Sequence, residues 1–366
     1  MKNYIPSLGG LRALSVMIVL ISHINVRSWG NKVIPFPFSM LLDGNFGVNI
    51  FFVISGFLIT TLLIAEENAT GTISLKNFYM RRIFRIFPAY YFVLFIYFLL
   101  ALFSIVHFTT QSWLSSIFYY KYLVPGDYET AHFWSLSVEE HFYLVWPLVF
   151  LFFKRQRVYF AIGVILLVFL CRFNTYYQWL PYPILSNWIF IFQRVDAIMI
   201  GCLCAMYREP ISRWIEKFTA LKFAPLIFIL VLLLNSRYSY SLNVDHKLHL
   251  GFIMVPLAIG SSVGTITNCL IGLVLLFSIS QKNWWYNFLN LPAMNYIGKL
   301  SYSLYLWQQI FLISDKLGVL STFPINICCT IIAALLSYYF IETPFLKYKT
   351  RYDSKSFLFK QHLPKV

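Results

Sequence analysis

The sequence predicts an all-α, polytopic membrane bundle of about ten transmembrane helices with both termini in the cytoplasm. Hydrophobic residues make up 59% of the 366 residues and charged residues only 12%, against roughly 25% charged in an average soluble domain. Apolar runs of about 18 or more residues recur along the chain, long enough to cross a bilayer as helices. Clusters of lysine and arginine separate these runs at alternate connections.

Ten apolar segments predict the helices in chain order: residues 8–26, 43–65, 87–107, 135–153, 158–172, 189–207, 221–234, 250–280, 297–314 and 323–343. The eighth segment is too long for one straight crossing and contains Pro256, Gly260 and Gly264. We therefore expect either a broken helix or two pieces, one of them re-entrant. The helices form one membrane domain over residues 1–346, and residues 347–366 form a basic cytoplasmic tail.

The basic clusters set the predicted orientation of the bundle. Lysine and arginine favour cytoplasmic loops, and four clusters fall on every second connection: RRIFR (81–85), KRQR (154–157), REPISRWIEK (208–217) and KYKTR (347–351). Both termini then lie inside, with about 21 of the 29 Lys and Arg on the cytoplasmic side. This asymmetry explains the net charge of +15, so we expect no nucleic-acid partner.

Two ionisable residues lie in the first predicted helix. Arg12 and His23 are eleven residues apart, which at about 100° and 1.5 Å per residue places them on one face, about 16 Å apart along the axis. Arg12 then lies near the cytoplasmic boundary and His23 in the outer half of the bilayer. An arginine at a helix end is often a snorkelling anchor, and a buried histidine is often a hydrogen-bonded core residue. An ionisable group inside a membrane is nevertheless a functional candidate.

A second polar cluster opens the fourth predicted helix, within the sequence FWSLSVEEHFYLVWP (133–147). Adjacent residues of a helix point about 100° apart, so at most one of Glu139 and Glu140 faces straight into the bundle. Glu139 shares its face with Ser135 and Tyr143, each four residues away. We expect both carboxylates in the outer half of the bilayer.

Further charges occur in two other helices. Arg194 and Asp196 lie at a similar outer depth in the sixth predicted helix, where a structural ion pair is one interpretation. Arg82 and Arg85 are three residues apart and share a face at the cytoplasmic mouth of the third helix, with Arg81 beside them. These three arginines are either positive-inside anchors or an entrance for an anion.

A cationic entrance inside and a cluster of histidine and carboxylates outside suit two classes of membrane protein. One is a transporter whose acidic and histidine groups relay protons. The other is an enzyme that takes an anionic donor from the cytosol and acts on an acceptor near the far face. Composition and spacing leave both open.

The order of the motifs resembles a known family. Seven of them carry the resemblance: GGLRALSVMIVLISH (9–23), FGVNIFFVISGFLIT (46–60), RRIFRIFPAYY (81–91), FWSLSVEEHFYLVWPL (133–148), RVDAIMIG (194–201), GKLSYSLYLWQQ (298–309) and YFIETPF (339–345). In this order they resemble membrane acyltransferase family three, the integral-membrane O-acyltransferases of surface polysaccharides. Two departures from the family are Gly9, where an aspartate is usual, and Asn49, where an acidic or small residue is common.

The resemblance implies an acyl-coenzyme A donor, most often acetyl-CoA. Its phosphates suit Arg82 and Arg85 as bidentate partners, with Arg81 beside them. Arg12 would steer the donor or stabilise the developing oxyanion. We expect no metal, because the six cysteines lack metal-ligand spacing.

The resemblance also implies roles for the outer groups. His23 would act as general base on a sugar hydroxyl or as a transient acyl carrier, with Glu139 or Glu140 fixing its tautomer. Tyr305 would donate a hydrogen bond or serve only in packing. The remaining substrate or support candidates are Asp196, Arg194, Ser135 and Tyr143. Outside the site, Ser55 and Gly56 are expected to permit close helix packing, and Glu342 and Pro344 to stabilise the fold.

The expected acceptor is a glycan or lipid-linked saccharide, such as O-antigen, lipopolysaccharide or exopolysaccharide, at a bacterial inner membrane with membrane lipid around the protein. The alternatives are a transporter of an acyl group or glycolipid without chemistry, and an acyltransferase acting on an antibiotic. The sequence does not define the oligomeric state, the acceptor sugar or the acyl group.

Overall fold

The computed structural model describes residues 5–28, 43–124, 128–177, 182–217, 264–314 and 316–352, together with residues 223, 224 and 227. Within these ranges the chain forms helices and turns, and no strand occurs in them. The all-α prediction is confirmed for this part of the chain. The predicted segment 221–234 and the first part of segment 250–280 fall almost wholly outside the described residues.

The first three helices are defined by local capping. Helix α1 is Leu8–Ser28, α2 is Gly44–Thr70 and α3 is Leu75–Leu102. The side chain of Asp43 accepts from the backbone N–H of Asn45 at the start of α2, and Gly71 ends that helix at a φ of 78°, a value that glycine adopts readily. Ser74 then caps α3 through the N–H of Asn77.

The middle of the bundle contains one short and four longer helices. They are α4 (Thr110–Ile117), α5 (Phe133–Phe152), α6 (Arg157–Tyr177), α7 (Tyr182–Met206) and α8 (Arg208–Lys217). Helix α5 keeps Pro147 inside it, and its inner face is built from large aromatic and aliphatic side chains. The long helices of this region overlap the predicted segments 135–153, 158–172 and 189–207.

The C-terminal third adds five helices: α9 (Thr265–Ser280), α10 (Trp284–Leu289), α11 (Pro292–Gln308), α12 (Ile325–Leu336) and α13 (Thr343–Lys349). A π-helical turn over Gln309–Ile313 extends α11, and another over Ser337–Glu342 joins α12 to α13. Such turns shift the register of a helix and are common at functional sites.

Three of the described helical segments are long and apolar enough to cross a membrane: Gly44–Thr70, Leu75–Leu102 and Ile325–Tyr352. Leu8–Ile24 and Thr265–Ser280 are apolar but shorter. These properties support an all-α membrane protein. The number of ten crossings and the cytoplasmic placement of both termini stay predictions.

Close helix contacts are made through glycine. A Cβ atom added at Gly56 of α2 would lie 1.9 Å from the carbonyl oxygen of Ile198 in α7, and one at Gly201 would lie 2.1 Å from that of Val53. No side chain fits at either position, so α2 and α7 pack backbone to backbone. The predicted packing role of Gly56 is therefore confirmed.

The same argument explains the departure at Gly9. A Cβ at Gly298 of α11 would lie 2.0 Å from the carbonyl oxygen of Gly9, and a Cβ at Gly9 would lie 2.5 Å from Oδ1 of Asn295. An aspartate at position 9 would have to displace the side chain of Asn295. The glycine lets α1 and α11 approach, and this contact positions the helices that carry Arg12 and Tyr305.

Candidate active site

A cavity of about 830 Å³, counting its open mouth, lies between five helices. We call it the charged cavity. Its polar lining is Arg12 of α1, Ser55 of α2, Arg82 and Arg85 of α3, Ser135, Glu139, Glu140 and Tyr143 of α5, and Ser301, Tyr302 and Tyr305 of α11. Eight of the residues singled out from the sequence therefore meet in one place.

The predicted bilayer depths of the cavity arginines and carboxylates need correction. They were expected at opposite sides of the bilayer, yet they line the same space. The reason is that α3 begins at Leu75 rather than at residue 87. At 1.5 Å per residue, Arg85 lies about 15 Å from the start of α3 and Glu140 about 18 Å from the end of α5. If α3 runs outward and α5 inward, these positions are level.

The three cavity arginines have no ionic partner in the part of the chain that the structure describes. No salt bridge or hydrogen bond involves the guanidinium group of Arg12, Arg82 or Arg85, and Nε of Arg82 is buried without a partner. The Arg82 guanidinium lies 5.6 Å from the ring centres of Phe78 and Tyr143, within range of a cation–π contact. Three unpaired cations facing one cavity form a binding place for an anion.

Arg81 differs from its neighbour Arg82. Its Nη2 lies 2.7 Å from Oε2 of Glu66, and its Nη1 donates to the backbone oxygen of Tyr352 at 3.0 Å. Both side chains of the Arg81–Glu66 pair are buried. Arg81 does not line the charged cavity, so the structure separates it from the predicted donor-binding pair and gives it a structural contact.

The two carboxylates of the charged cavity differ in their hydrogen bonds. Oε1 of Glu139 accepts a hydrogen bond from the Ser55 hydroxyl at 2.6 Å, and the hydroxyl of Tyr143 donates to Ser55 at 3.2 Å. Ser55 was expected to serve in packing, whereas here it orients a carboxylate. Glu140 borders the cavity without a hydrogen bond in the described part of the chain.

Ser135 and Tyr305 form a pair of hydroxyl groups in the lining of the charged cavity. The Ser135 and Tyr305 oxygens are 2.5 Å apart, and each hydroxyl lies within hydrogen-bond distance of the carbonyl oxygen of His132, at 3.1 and 3.0 Å. The ring of His132 lies 5.7 Å from the ring of Tyr305. Both ring nitrogens of His132 are buried without a hydrogen bond from any described residue.

His23 is not among the residues that line the charged cavity. Its Nδ1 is 2.5 Å from Oε1 of Gln308. The expectation that Glu139 or Glu140 fixes the His23 tautomer is therefore wrong, because both carboxylates line the charged cavity and the amide of Gln308 takes the position beside His23. We call His23, His132 and Gln308 the histidine layer.

Sequence reasoning missed Gln308 and His132. Gln308 lies in the quoted motif GKLSYSLYLWQQ, and His132 directly precedes FWSLSVEE. An amide carries no charge, and His132 stands outside the predicted fourth helix, so neither was selected. The position of Gln308 one turn after Tyr305 was the available signal.

Arg194 and Asp196 do not pair with each other. Asp196 is fully buried and forms two hydrogen bonds with Arg172 of α6, at 2.7 and 2.8 Å, and a third with Asn268 of α9 at 3.1 Å. Arg194 instead donates to Oδ1 of Asn45 at 3.1 Å. The predicted ion pair was wrong in its partner, and Asp196 is tied to a structural contact.

Two further groups border the site. Arg194 also donates to Oδ1 of Asn49 at 3.4 Å, so the unusual Asn49 gives a neutral acceptor where an acidic residue would bring a charge. Glu342 accepts a hydrogen bond from Ser303 and is buried. Among the residues described, no group of three or more His, Cys, Asp or Glu side chains is placed to hold a metal ion.

Comparison with known proteins shows the family to which the chain belongs. Residues 5–342 match the family described as "Acyltransferase domain". A Staphylococcus aureus (strain COL) protein named "Putative O-acetyltransferase" is 29% identical over 385 residues, covering 94% of this chain and 58% of that protein. O-acetyltransferase OatA of strain NCTC 8325 is 28% identical over 373 residues, again covering 94% and 58%. The chain thus spans little more than half the length of these relatives. No solved structure matches the chain.

Proposed function

The chain belongs to the acyltransferase domain family, and from this premise we propose that it is an integral-membrane O-acetyltransferase. It transfers an acetyl group from cytosolic acetyl-CoA to a hydroxyl of a cell-surface glycan, such as O-antigen or an exopolysaccharide, at a bacterial inner membrane. The names of the staphylococcal relatives support acetyl as the acyl group. Membership of the family favours this enzyme over a transporter without chemistry.

One observation carries the choice of donor: Arg12, Arg82 and Arg85 face one cavity and form no salt bridge within the described ranges. They outnumber the two carboxylates of that cavity, Glu139 and Glu140, and excess positive charge in a buried space costs free energy unless an anionic ligand neutralises it. Coenzyme A carries phosphates that suit guanidinium groups. Arg82 and Arg85 of α3 bind these phosphates, and Arg12 of α1 lines the same cavity.

The thioester must pass the Ser135–Tyr305 pair to react at His23. Tyr305 lines the charged cavity and also contacts His132, so in this proposal the acyl end of the donor reaches beyond Tyr305 while the phosphates stay with the arginines. The hydroxyl of Tyr305 lies along this path and is placed to donate a hydrogen bond to the thioester carbonyl. An extended donor of this kind contacts both the charged cavity, through its phosphates, and the histidine layer, through its thioester.

His23 then acts on the acceptor. Its Nε2 takes the proton of the acceptor hydroxyl while the oxygen attacks the thioester carbonyl, a C–O bond forms and the C–S bond breaks. The thiolate of coenzyme A leaves and receives that proton from the imidazolium. In the alternative, His23 attacks first and carries the acyl group to the hydroxyl. Glu140 is the next candidate base, because its carboxylate borders the cavity and has no partner in the described chain.

The proposal is tested with membranes that contain the protein, radiolabelled acetyl-CoA and surface glycans as acceptors. We expect a base-labile acetyl ester on the glycan. His23→Gln keeps most of the side-chain volume but cannot take the proton, so the rate should fall by about 10² to 10⁴, whereas Glu140→Gln should retain transfer.

Two results would change the account. If His23→Gln transfers acetyl at nearly the wild-type rate and Glu140→Gln does not, the base is Glu140. If solute efflux changes on expression and no glycan ester forms, the protein is a transporter and the proposed reaction is wrong.

A further inference from the structure

The contact between His23 and Gln308 determines which imidazole nitrogen is free. Nδ1 of His23 is 2.5 Å from Oε1 of Gln308. An amide oxygen only accepts hydrogen bonds, so Nδ1 carries the hydrogen and Nε2 keeps its lone pair. Gln308 is fully buried in α11, so its amide has little freedom to move. The buried amide thus presents Nε2 as the basic atom.

Several hydrogen-bonding atoms beside this contact are unused. Nε2 of Gln308 and both ring nitrogens of His132 are buried and have no partner among the described residues. The backbone of Leu306 lies near the His132 ring without completing a hydrogen bond. Buried polar groups are nearly always satisfied in native proteins, and a group of unsatisfied ones therefore indicates a place for a ligand.

These atoms belong to one layer of the bundle. Tyr305 and Gln308 are three residues apart in α11 and share a face. The Tyr305 ring lies 5.7 Å from that of His132, and the charges of His132 and His23 are close enough to interact. His23 is only partly buried. Its Nε2 lies at the ring edge away from Gln308, 3.9 Å from where a Cβ of Gly44 would stand, so an acceptor bound at Nε2 must extend past the ring to reach Gln308 and His132.

We propose that Gln308 is the positioning residue of His23, and that Nε2 of Gln308 and the ring of His132 bind a second hydroxyl of the acceptor. This inference rests on the proposed function. The reacting hydroxyl donates to Nε2 of His23, while the oxygen of a second hydroxyl, farther along the acceptor, accepts from the Gln308 amide and exchanges a hydrogen bond with His132. The acceptor is therefore a polyhydroxylated molecule, such as a saccharide, rather than a simple alcohol.

The tautomer is tested without any acceptor. Solid-state NMR of the protein in lipid bilayers, labelled with ¹⁵N-histidine, reports which nitrogen of each neutral imidazole is protonated, and the His23 signal is the one lost in His23→Gln. We expect Nδ1–H in the wild type and loss of that preference in Gln308→Leu. A wild-type His23 protonated at Nε2 would overturn the positioning role, whatever the protein's activity.

Kinetics test the positioning role a second way. Gln308→Leu should lower kcat about 10- to 100-fold, the range seen when an orienting partner is lost. Gln308→Glu keeps an acceptor for Nδ1–H and should restore kcat, but it stabilises the protonated imidazole, so the acidic limb of the pH–rate profile should move to higher pH. His132 is the titratable group whose charge interacts with that of His23, and these variants leave it in place.

The hydroxyl site is tested with methyl hexopyranosides and their monodeoxy derivatives as acceptors. Wild type should lose about tenfold in kcat/KM when the hydroxyl that Gln308 and His132 bind is removed, and the monodeoxy series identifies that hydroxyl. His132→Phe keeps the ring packing and should raise the acceptor KM, leave the acetyl-CoA KM unchanged and remove this discrimination.

Each alternative result has a distinct meaning. Unchanged discrimination in His132→Phe overturns the hydroxyl site. An unchanged pH–rate profile in Gln308→Glu together with wild-type kcat in Gln308→Leu overturns the positioning role. If wild type acetylates no methyl glycoside and no surface glycan, the proposed function fails, and the NMR result still decides the role of Gln308.

Discussion

The arginines that line the charged cavity differ from the arginines outside it in the groups that their guanidinium side chains contact. Arg81 has Glu66, Arg157 has Glu67 and Arg172 has Asp196, each at 2.7 Å. Arg12, Arg82 and Arg85 line a cavity and have no such partner in the described ranges. Arg81 and Arg82 are consecutive in α3, so composition and depth do not explain the difference. The direction of the side chain does.

This comparison separates two uses of a buried cation. A guanidinium matched by a carboxylate inside the protein stabilises the fold, and removing one partner leaves the other uncompensated. A guanidinium that faces a cavity without forming a salt bridge is available to an anion that binds there. Substitutions of the paired arginines should therefore change stability, and those of the cavity arginines should change binding.

The largest effect should come from the Arg172–Asp196 pair. Asp196 is fully buried with three hydrogen bonds, so Asp196→Asn removes the carboxylate charge that faces Arg172. We expect a loss of about 3–5 kcal/mol in the free energy of unfolding, measured by thermal or denaturant unfolding in detergent. A variant as stable as wild type that has lost acetyl-CoA binding would instead place Asp196 in the ligand site.

Arg81→Gln should act in the same direction and somewhat less strongly. Glu66 keeps a hydrogen bond from the backbone N–H of Ser74 at 3.0 Å, so it is not left wholly unsatisfied. We expect a stability loss of about 2–4 kcal/mol with an unchanged KM for acetyl-CoA in the folded fraction. A higher KM at normal stability would return Arg81 to the donor site.

Arg82→Gln and Arg85→Gln should show the reverse pattern. Each removes a phosphate contact worth on the order of 1–3 kcal/mol, or a rise of about 5- to 150-fold in the KM for acetyl-CoA. Because neither side chain forms a salt bridge with any described residue, the unfolding midpoint should stay close to that of wild type. Matched unfolding curves and KM values for the two variants and Arg81→Gln check this pattern.

The smallest effect on stability is expected for Lys154, an exposed residue outside the charged cavity. Lys154 lies 3.0 Å from Glu67, but its side chain is 66% exposed, and Arg157 also binds Glu67. Lys154→Ala should cost no more than about 0.2–1 kcal/mol of stability and leave activity unchanged. A larger loss of stability would mean that solvent exposure does not predict how much these ion pairs contribute to folding.

The sequence predicted the helical class, the helices around the site and eight residues of the charged cavity, because hydrophobic runs and motif order report them directly. It did not separate Arg81 from Arg82, since neighbours in RRIFR differ only in the direction they face. It also missed the early start of α3, which depends on the cap at Ser74. The partners Arg172 and Gln308 are brought to Asp196 and His23 by tertiary packing, which no local pattern encodes.

The central claim is that the cavity arginines bind the phosphates of the donor. Equilibrium dialysis of radiolabelled coenzyme A against the purified protein in lipid nanodiscs tests it, with wild type, Arg82→Gln, Arg85→Gln and, as the matched control from the same helix, Arg81→Gln. The account predicts binding that weakens with added salt, an affinity about 5- to 150-fold lower in the two cavity variants, and wild-type affinity in folded Arg81→Gln. Equal affinity in all four proteins, or a loss confined to Arg81→Gln, would contradict it.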